Sequence, residues 1–148
     1  AEVIGAEPRG ASDAWQGFTT GQRVEQQVPE TIADGLRSTL GIRNFEIITK
    51  QVNDILLVSE QAIIDAMRLV WTRMKIVIEP SAAVCVAAVM GNLDKFFGKR
   101  VAIILSRVDS VSAVMTVPLF FKRGFVAGDG GTELLALGGL FLLFLKPV

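Results

Sequence analysis

The sequence predicts an α/β fold, a parallel sheet with helices on both faces, and three observations carry that reading. Three short apolar runs, at 2–7, 54–58 and 101–105, lack polar alternation and read as strands, the latter two buried. Helical segments separate them, giving the order β-α-β-α-β. The 148 residues are 51% hydrophobic and 20% charged, which suffices for the core of one ordinary domain.

The first strand stops at Pro8, and the turn Arg9-Gly-Ala-Ser-Asp13 follows, with Ser12 able to cap a short helix through Phe18. Residues 19–31 are polar and carry Gly21 and Pro29, which marks a surface loop. Thr31 to Gly35 is a small-residue stretch whose glycine can admit a ligand closely. Phe45, Ile47 and Ile48 suggest a helix ending near Lys50, and Asp54-Ile-Leu-Leu-Val58 is a buried strand. Ser59 is a good N-cap and Glu60 suits the positive helix end. Ile63, Ile64, Met67, Val70, Trp71 and Met74 then fall on one helical face. Pro80 can restart a helix, and Ser81 to Met90 is small and apolar all round, as in a helix buried on every side. Gly98 opens a turn into the third strand, Val101 to Leu105. From about Arg107 the strand–helix rhythm stops. The residues 107–148 form a divergent, Gly- and Phe-rich tail ending in the uncharged run Leu134 to Leu145. That run is shorter than the roughly 20 residues of a spanning helix, so it reads as buried or aggregation-prone rather than as a membrane span. A membrane-associated tail is the lesser reading.

Composition excludes several chemistries. There is no histidine, which removes Ser-His-Asp and Cys-His catalysis and imidazole zinc sites. Cys85 is the single cysteine, so no intrachain disulfide or thiolate cluster is expected. Fifteen basic residues balance fifteen acidic ones, leaving no case for bulk attraction to nucleic acid or anionic lipid. Glu2, Glu7 and Arg9 interrupt any apolar run at the start, so no signal peptide is expected.

Ligands in such sheets bind at the carboxyl ends of the strands, here Glu7, Ser59 and Ser106. Glu7 and Asp13 put two carboxylates and several carbonyls in one turn, an oxygen-only set that suits Mg²⁺ or Ca²⁺. The commoner arrangement has Asp13 serving the following helix N-terminus and Glu7 pairing with an arginine. Glu79 lies between two apolar helical stretches and is expected to be part-buried, with Lys75 one turn earlier as its partner. Ser106 caps the next turn or bonds a ligand. Lys50, Lys75, Lys95 and Lys99 read as solvated surface lysines.

The stretches Pro29-Glu-Thr-Ile-Ala-Asp-Gly35, Leu69-Val-Trp-Thr-Arg-Met-Lys75 and Ile78-Glu-Pro-Ser-Ala-Ala83, with Glu7-Pro8 and Val101 to Ser106, resemble pyridoxal-phosphate (PLP) enzymes of the threonine dehydratase and serine racemase family. The resemblance runs from Glu2 to Ser106, so 1–106 is expected to be part of the large domain of fold type II. It implies PLP between two α/β domains, usually in a homodimer, acting on an amino-acid substrate in the cytoplasm. The products are a 2-oxo acid and ammonia, or racemised serine. It further implies that Glu7, Asp13 and the Ala11 carbonyl hold a divalent cation. Gly35 matches a loop glycine beside the cofactor, and Glu79 a glutamate near the pyridine ring. Ser106 matches the hydroxyl that bonds the pyridine nitrogen, leaving that nitrogen largely unprotonated. Lys75 matches a lysine near a nucleotide effector site.

Two family features are absent from the sequence: the Schiff-base lysine of a Ser-x-Lys-x-Arg-Gly motif and the glycine-rich phosphate loop. Ser106-Arg107-Val108-Asp109 also stands where the family has Ser-Gly-Gly-Asn. The chain is therefore expected to be inactive alone, with its apolar tail folded back over sheet surface left bare. The alternative is a non-catalytic module that binds a full-length relative, or a membrane through the tail.

Overall fold

The computed structural model describes residues 1–105 and the backbone of two further strands, 113–118 and 141–147. Strands β1 (Glu2–Pro8), β2 (Asp54–Val58), β3 (Lys99–Leu105), β4 (Ala113–Pro118) and β5 (Phe141–Pro147) form one sheet in the order β2-β1-β5-β3-β4. The helices are α1 (Asp13–Thr20), α2 (Ile42–Gln51), α3 (Glu60–Met74), α4 (Pro80–Met90) and the short α5 (Leu93–Phe96). Single 3₁₀ turns lie at Arg9–Ala11 and Asp34–Leu36.

The three strands expected from the sequence run in one direction. β1 pairs in parallel with β2, from Ile4 opposite Asp54 to Pro8 opposite Val58. β5 pairs antiparallel with both β1 and β3, so β1 and β3 are parallel to each other with β5 between them. The sheet is thus mixed rather than wholly parallel, and the difference comes from the tail, whose strands β4 and β5 both join antiparallel. Ser106 and the rest of 107–148 lie outside the described residues.

Alternation along each strand sends neighbours to opposite faces. Ile4, Ala6, Leu56 and Val58 pack with Ile63, Ala66, Val70 and residues Ala82 to Val89 of α4. Val3 and Ile55 belong to a second cluster with Ala14, Leu40, Ile48 and Phe45, under α1 and α2. Helices therefore cover both faces, as expected. α4 is buried at every position from Ser81 to Val89, which its small side chains allow, since they let helix and sheet approach closely.

Local signals hold where local energy decides. Ser59 is the N-cap of α3, its Oγ accepting the Ala62 N–H at 3.2 Å. Pro80 opens α4 and Gly98 takes a left-handed turn at φ 70°. The face of α3 needs correction: Ile63, Ala66 and Val70 are buried, whereas Ile64 is at the surface and Trp71 is 65% exposed. At 100° per residue the two lie at the rim of the stripe, and α4 packs against its centre. Among the described residues no helix is long and apolar enough to cross a membrane.

Candidate functional site

The carboxyl end of β1 brings Glu7, Ala11 and Asp13 into one turn, all three buried. Their roles differ from the alternative the sequence favours. Ser12 occupies the N-cap position of α1, but its side chain makes no cap bond; its Oγ accepts from Gln16 Nε2 at 3.0 Å. The cap comes instead from Glu7, whose Oε1 accepts the Ala14 N–H at 3.2 Å and whose Oε2 accepts the Trp15 N–H at 2.8 Å. Asp13 reaches across to the following loop, its Oδ2 accepting the Leu40 N–H at 2.7 Å and its Oδ1 the Gln27 amide at 2.8 Å. A carboxylate delivered by the strand before the turn reaches the helix's unpaired N–H groups, which frees Asp13 to hold the loop.

Glu7 is 1% exposed, and loss of water pushes its pKa up to about 8. The Trp15 and Ala14 hydrogen bonds oppose that rise, and the Asp13 charge adds to it. Burial also raises Asp13, against the Leu40 and Gln27 bonds. Two carboxyl groups thus share a dry turn, and Glu7 keeps its proton up to about pH 8. Among the described residues no group of three or more His, Cys, Asp or Glu converges, so this is a carboxylate pair.

The same turn anchors the segment that carries Gly35. Glu30 N–H donates to the Gly10 carbonyl at 2.8 Å, and a Cβ on Gly10 would lie 2.0 Å from the Glu30 oxygen, so only glycine fits. Ile32 N–H donates to Glu60 Oε2 at 2.8 Å, while Arg37 grips the Thr31 carbonyl through Nε and Nη2 at 3.1 and 2.7 Å. Gly35 then reaches the start of α4, its N–H donating to Ser81 Oγ at 3.0 Å. A Cβ on Gly35 would sit 2.8 Å from that oxygen.

Gly35 and Glu79 are therefore brought to one place, the amino end of α4, with Ser81 between them. Glu79 is the N-cap of α4 and half-buried, its carbonyl accepting from Ala82 and Ala83 at 3.1 and 3.2 Å. Lys75 is not on one helix with it. Lys75 ends α3 in the left-handed region at φ 59°, exposed to solvent, whereas Glu79 begins α4 in extended conformation. Ser106 lies outside the described residues. Ser59, the third strand-end residue, spends its hydroxyl on the α3 cap. Cys85 is fully buried and burial pushes its thiol up, so it is no reactive thiolate.

Sequence reasoning missed Ser81, Gln27, Leu40 and Glu60. Ser81 had a signal, since a lone hydroxyl opening an otherwise apolar buried helix must find a partner. The others act through contacts 14 to 28 residues away in the chain, which no local pattern encodes.

Residues 1–107 match the family model described as pyridoxal-phosphate dependent enzyme. The chain is 39% identical over 104 residues to the β-hydroxyaspartate dehydratase of Paracoccus denitrificans, covering 70% of this chain and 33% of that protein. It is 42% identical over 106 residues to the serine racemase of Schizosaccharomyces pombe, covering 71% and 33%. The crystal structure of the serine racemase from Dictyostelium discoideum superposes with a TM-score of 0.58 at 43% identity, over 64% of this chain and 30% of that one. The chain thus spans about a third of the length of the curated relatives it matches.

Proposed function

The chain belongs to the pyridoxal-phosphate-dependent enzyme family, and from that premise we propose that it forms part of a serine/threonine dehydratase (ammonia-lyase) or serine racemase that is inactive as this chain alone. The intact enzyme converts its amino-acid substrate to a 2-oxo acid and ammonia, or racemises serine. The observation that carries the reading is the contact of Gly35 with Ser81 beside Glu79, where a loop is drawn against a helix N-terminus with no room for a side chain.

PLP fits this arrangement. When bound, it supplies an electron sink for chemistry at the substrate α-carbon. Gly35 lets the loop backbone pass close, and Ser81 fixes the direction of the Gly35 amide. Glu79 offers a half-buried carboxylate at the same helix end. The family resemblance adds Ser106, outside the described residues, as the hydroxyl for the pyridine nitrogen. Among the described lysines, Lys95 pairs with Asp54 and Lys99 with Glu2 at the amino ends of β2 and β1. Lys50 and Lys75 are exposed. That placement supports the chain's inactivity alone, since a lysine amine must reach the coenzyme aldehyde.

A hard cation, Mg²⁺ or Ca²⁺, also fits. An ion offsets the repulsion that arises when Glu7 and Asp13 both ionise in a buried turn, and each oxygen that accepts one N–H keeps a second lone pair. With the Ala11 carbonyl they supply three oxygen ligands, and water supplies the rest. By holding the turn that anchors Glu30 and Leu40, the ion stiffens the loop bearing Gly35. A nucleotide effector near Lys75, a homodimer or pairing with a full-length relative, and a cytoplasmic location complete the proposal.

The test is a chimera in which residues 1–105 replace the matching third of the S. pombe serine racemase. The chimera is expected to bind PLP and release a 2-oxo acid from L-serine or L-threonine, or racemise serine, while the chain alone does neither. A folded chimera without PLP absorbance, or turnover by the chain alone, overturns the proposal.

A further inference from the structure

A cleft lined by none of Gly35, Glu79 and Ser81 has no part in that function. It encloses about 270 Å³ and is bounded by the turn after β1, the start of α3 and the end of α4. That is a little less than the roughly 300–1,000 Å³ of drug-sized pockets, and it suits a molecule the size of a free amino acid. Two of its residues stand at the carboxyl ends of neighbouring strands, where α/β sheets hold ligands: Arg9 follows β1 and Ser59 follows β2.

The polar lining is of two kinds. Arg9 is exposed, and its guanidinium enters no ion pair among the described residues. A guanidinium is a fork of donors that fits a carboxylate. Ser59 Oγ accepts the Ala62 N–H, which leaves its own proton to donate. Asn92 is the acceptor. Its Nδ2 donates to the Ala88 carbonyl at 2.8 Å, which fixes the amide and leaves Oδ1 as a lone-pair donor to a cation. Asn92 also follows directly on the carboxyl end of α4, where the helix dipole favours positive charge. Val58, Ala62 and Ala87 add apolar wall. We propose that this cleft binds a free α-amino acid with a small aliphatic side chain, its carboxylate on Arg9 and Ser59 and its ammonium on Asn92. A plain carboxylate or a plain amine makes only half of these contacts. The proposal does not rest on the coenzyme reading, since no residue of that site takes part.

An NMR titration of the full-length chain with L-2-aminobutyrate tests the site, with butanoate and propylamine as the analogues that lack the ammonium and the carboxylate. Saturable amide shifts are expected at residues 9, 57–62 and 87–92. Each analogue is expected to bind at least about tenfold more weakly. Arg9→Met keeps the apolar stem without the guanidinium, and Ala62→Leu fills the cleft. Each is expected to weaken binding by at least about tenfold. Equal binding of butanoate, propylamine or inorganic phosphate overturns the proposal, as does binding undiminished in either folded variant. Shifts centred on Gly35 and Ser81, or no saturable shift at all, overturn it too. Should Ala62→Leu not fold, Arg9→Met decides, since that exposed side chain is no part of either hydrophobic cluster.

Discussion

The Glu7 Oε2 atom accepts the backbone N–H of Trp15 at 2.8 Å, so a strand residue caps the helix that begins six residues later. Its partner in charge, Asp13, is spent on Leu40 and Gln27. One turn thereby joins β1, α1 and the loop bearing Gly35.

Stability should fall as pH rises. Glu7 is raised in the folded chain from an ordinary 4.5 to about 8, so between these values the folded state holds a proton the unfolded state has lost. The contribution is full below the unfolded pKa and gone above the folded one, with a slope of at most about 1.4 kcal/mol per pH unit. Asp13, also raised, acts in the same direction. Urea melts in chelator from pH 5 to 8.5 measure it. In Glu7→Gln the slope should flatten. At pH 5 this variant should also lose about 1–3 kcal/mol, since its amide group faces an N–H it cannot accept.

Mg²⁺ or Ca²⁺ at neutral pH should reverse that loss. A cation between the two carboxylates binds the folded chain alone and stabilises it by about 2.7 kcal/mol at a hundredfold excess over Kd. Thermal melts of the unchanged chain should rise with either ion, and melts of Glu7→Gln and Asp13→Asn should not. Equal shifts in all three would show that the ion binds elsewhere.

Gly35→Ala should destabilise by about 1–3 kcal/mol, because its new methyl would lie 2.8 Å from Ser81 Oγ. Ser81→Ala removes that oxygen along with the bond to the Gly35 amide. The double variant should therefore be more stable than the sum of the single losses implies, by about 0.5 kcal/mol or more in a denaturant cycle.

Lys75→Gly should stabilise the chain. Lys75 is the one non-glycine residue with positive φ among the described residues, at 59°, and its side chain is exposed. Glycine adopts that conformation without the Cβ penalty, worth about 1 kcal/mol at a helix C-cap. A higher melting temperature with an unchanged circular dichroism spectrum is the expected outcome. The same variant should weaken any nucleotide effect on the intact enzyme.

Much of this molecule is legible without coordinates. The three apolar runs became β1, β2 and β3, Ser59 and Pro80 mark the starts of α3 and α4, and the all-apolar helix proved buried on every side. These depend on periodicity and capping, energies that act within one or two turns of chain. The motifs around Gly35 and Glu79 likewise pointed to the family that the comparison with known proteins shows.

Tertiary structure alone decided the rest. Ser12 stands where a cap is expected, yet the cap is Glu7, because the strand end puts both its carboxylate oxygens within reach of the Ala14 and Trp15 N–H groups while Ser12 Oγ bonds Gln16. Trp71 fits the apolar stripe of α3 by count, yet it is exposed because α4 covers only the stripe's centre. The apolar tail could have been a buried run of any kind, and its entry between β1 and β3 depends on two edges set about 100 residues apart in the chain. Sequence pattern determines which segments must leave water and in what local form. Which segment meets which is settled by long-range hydrogen bonds and shape, which no local window contains.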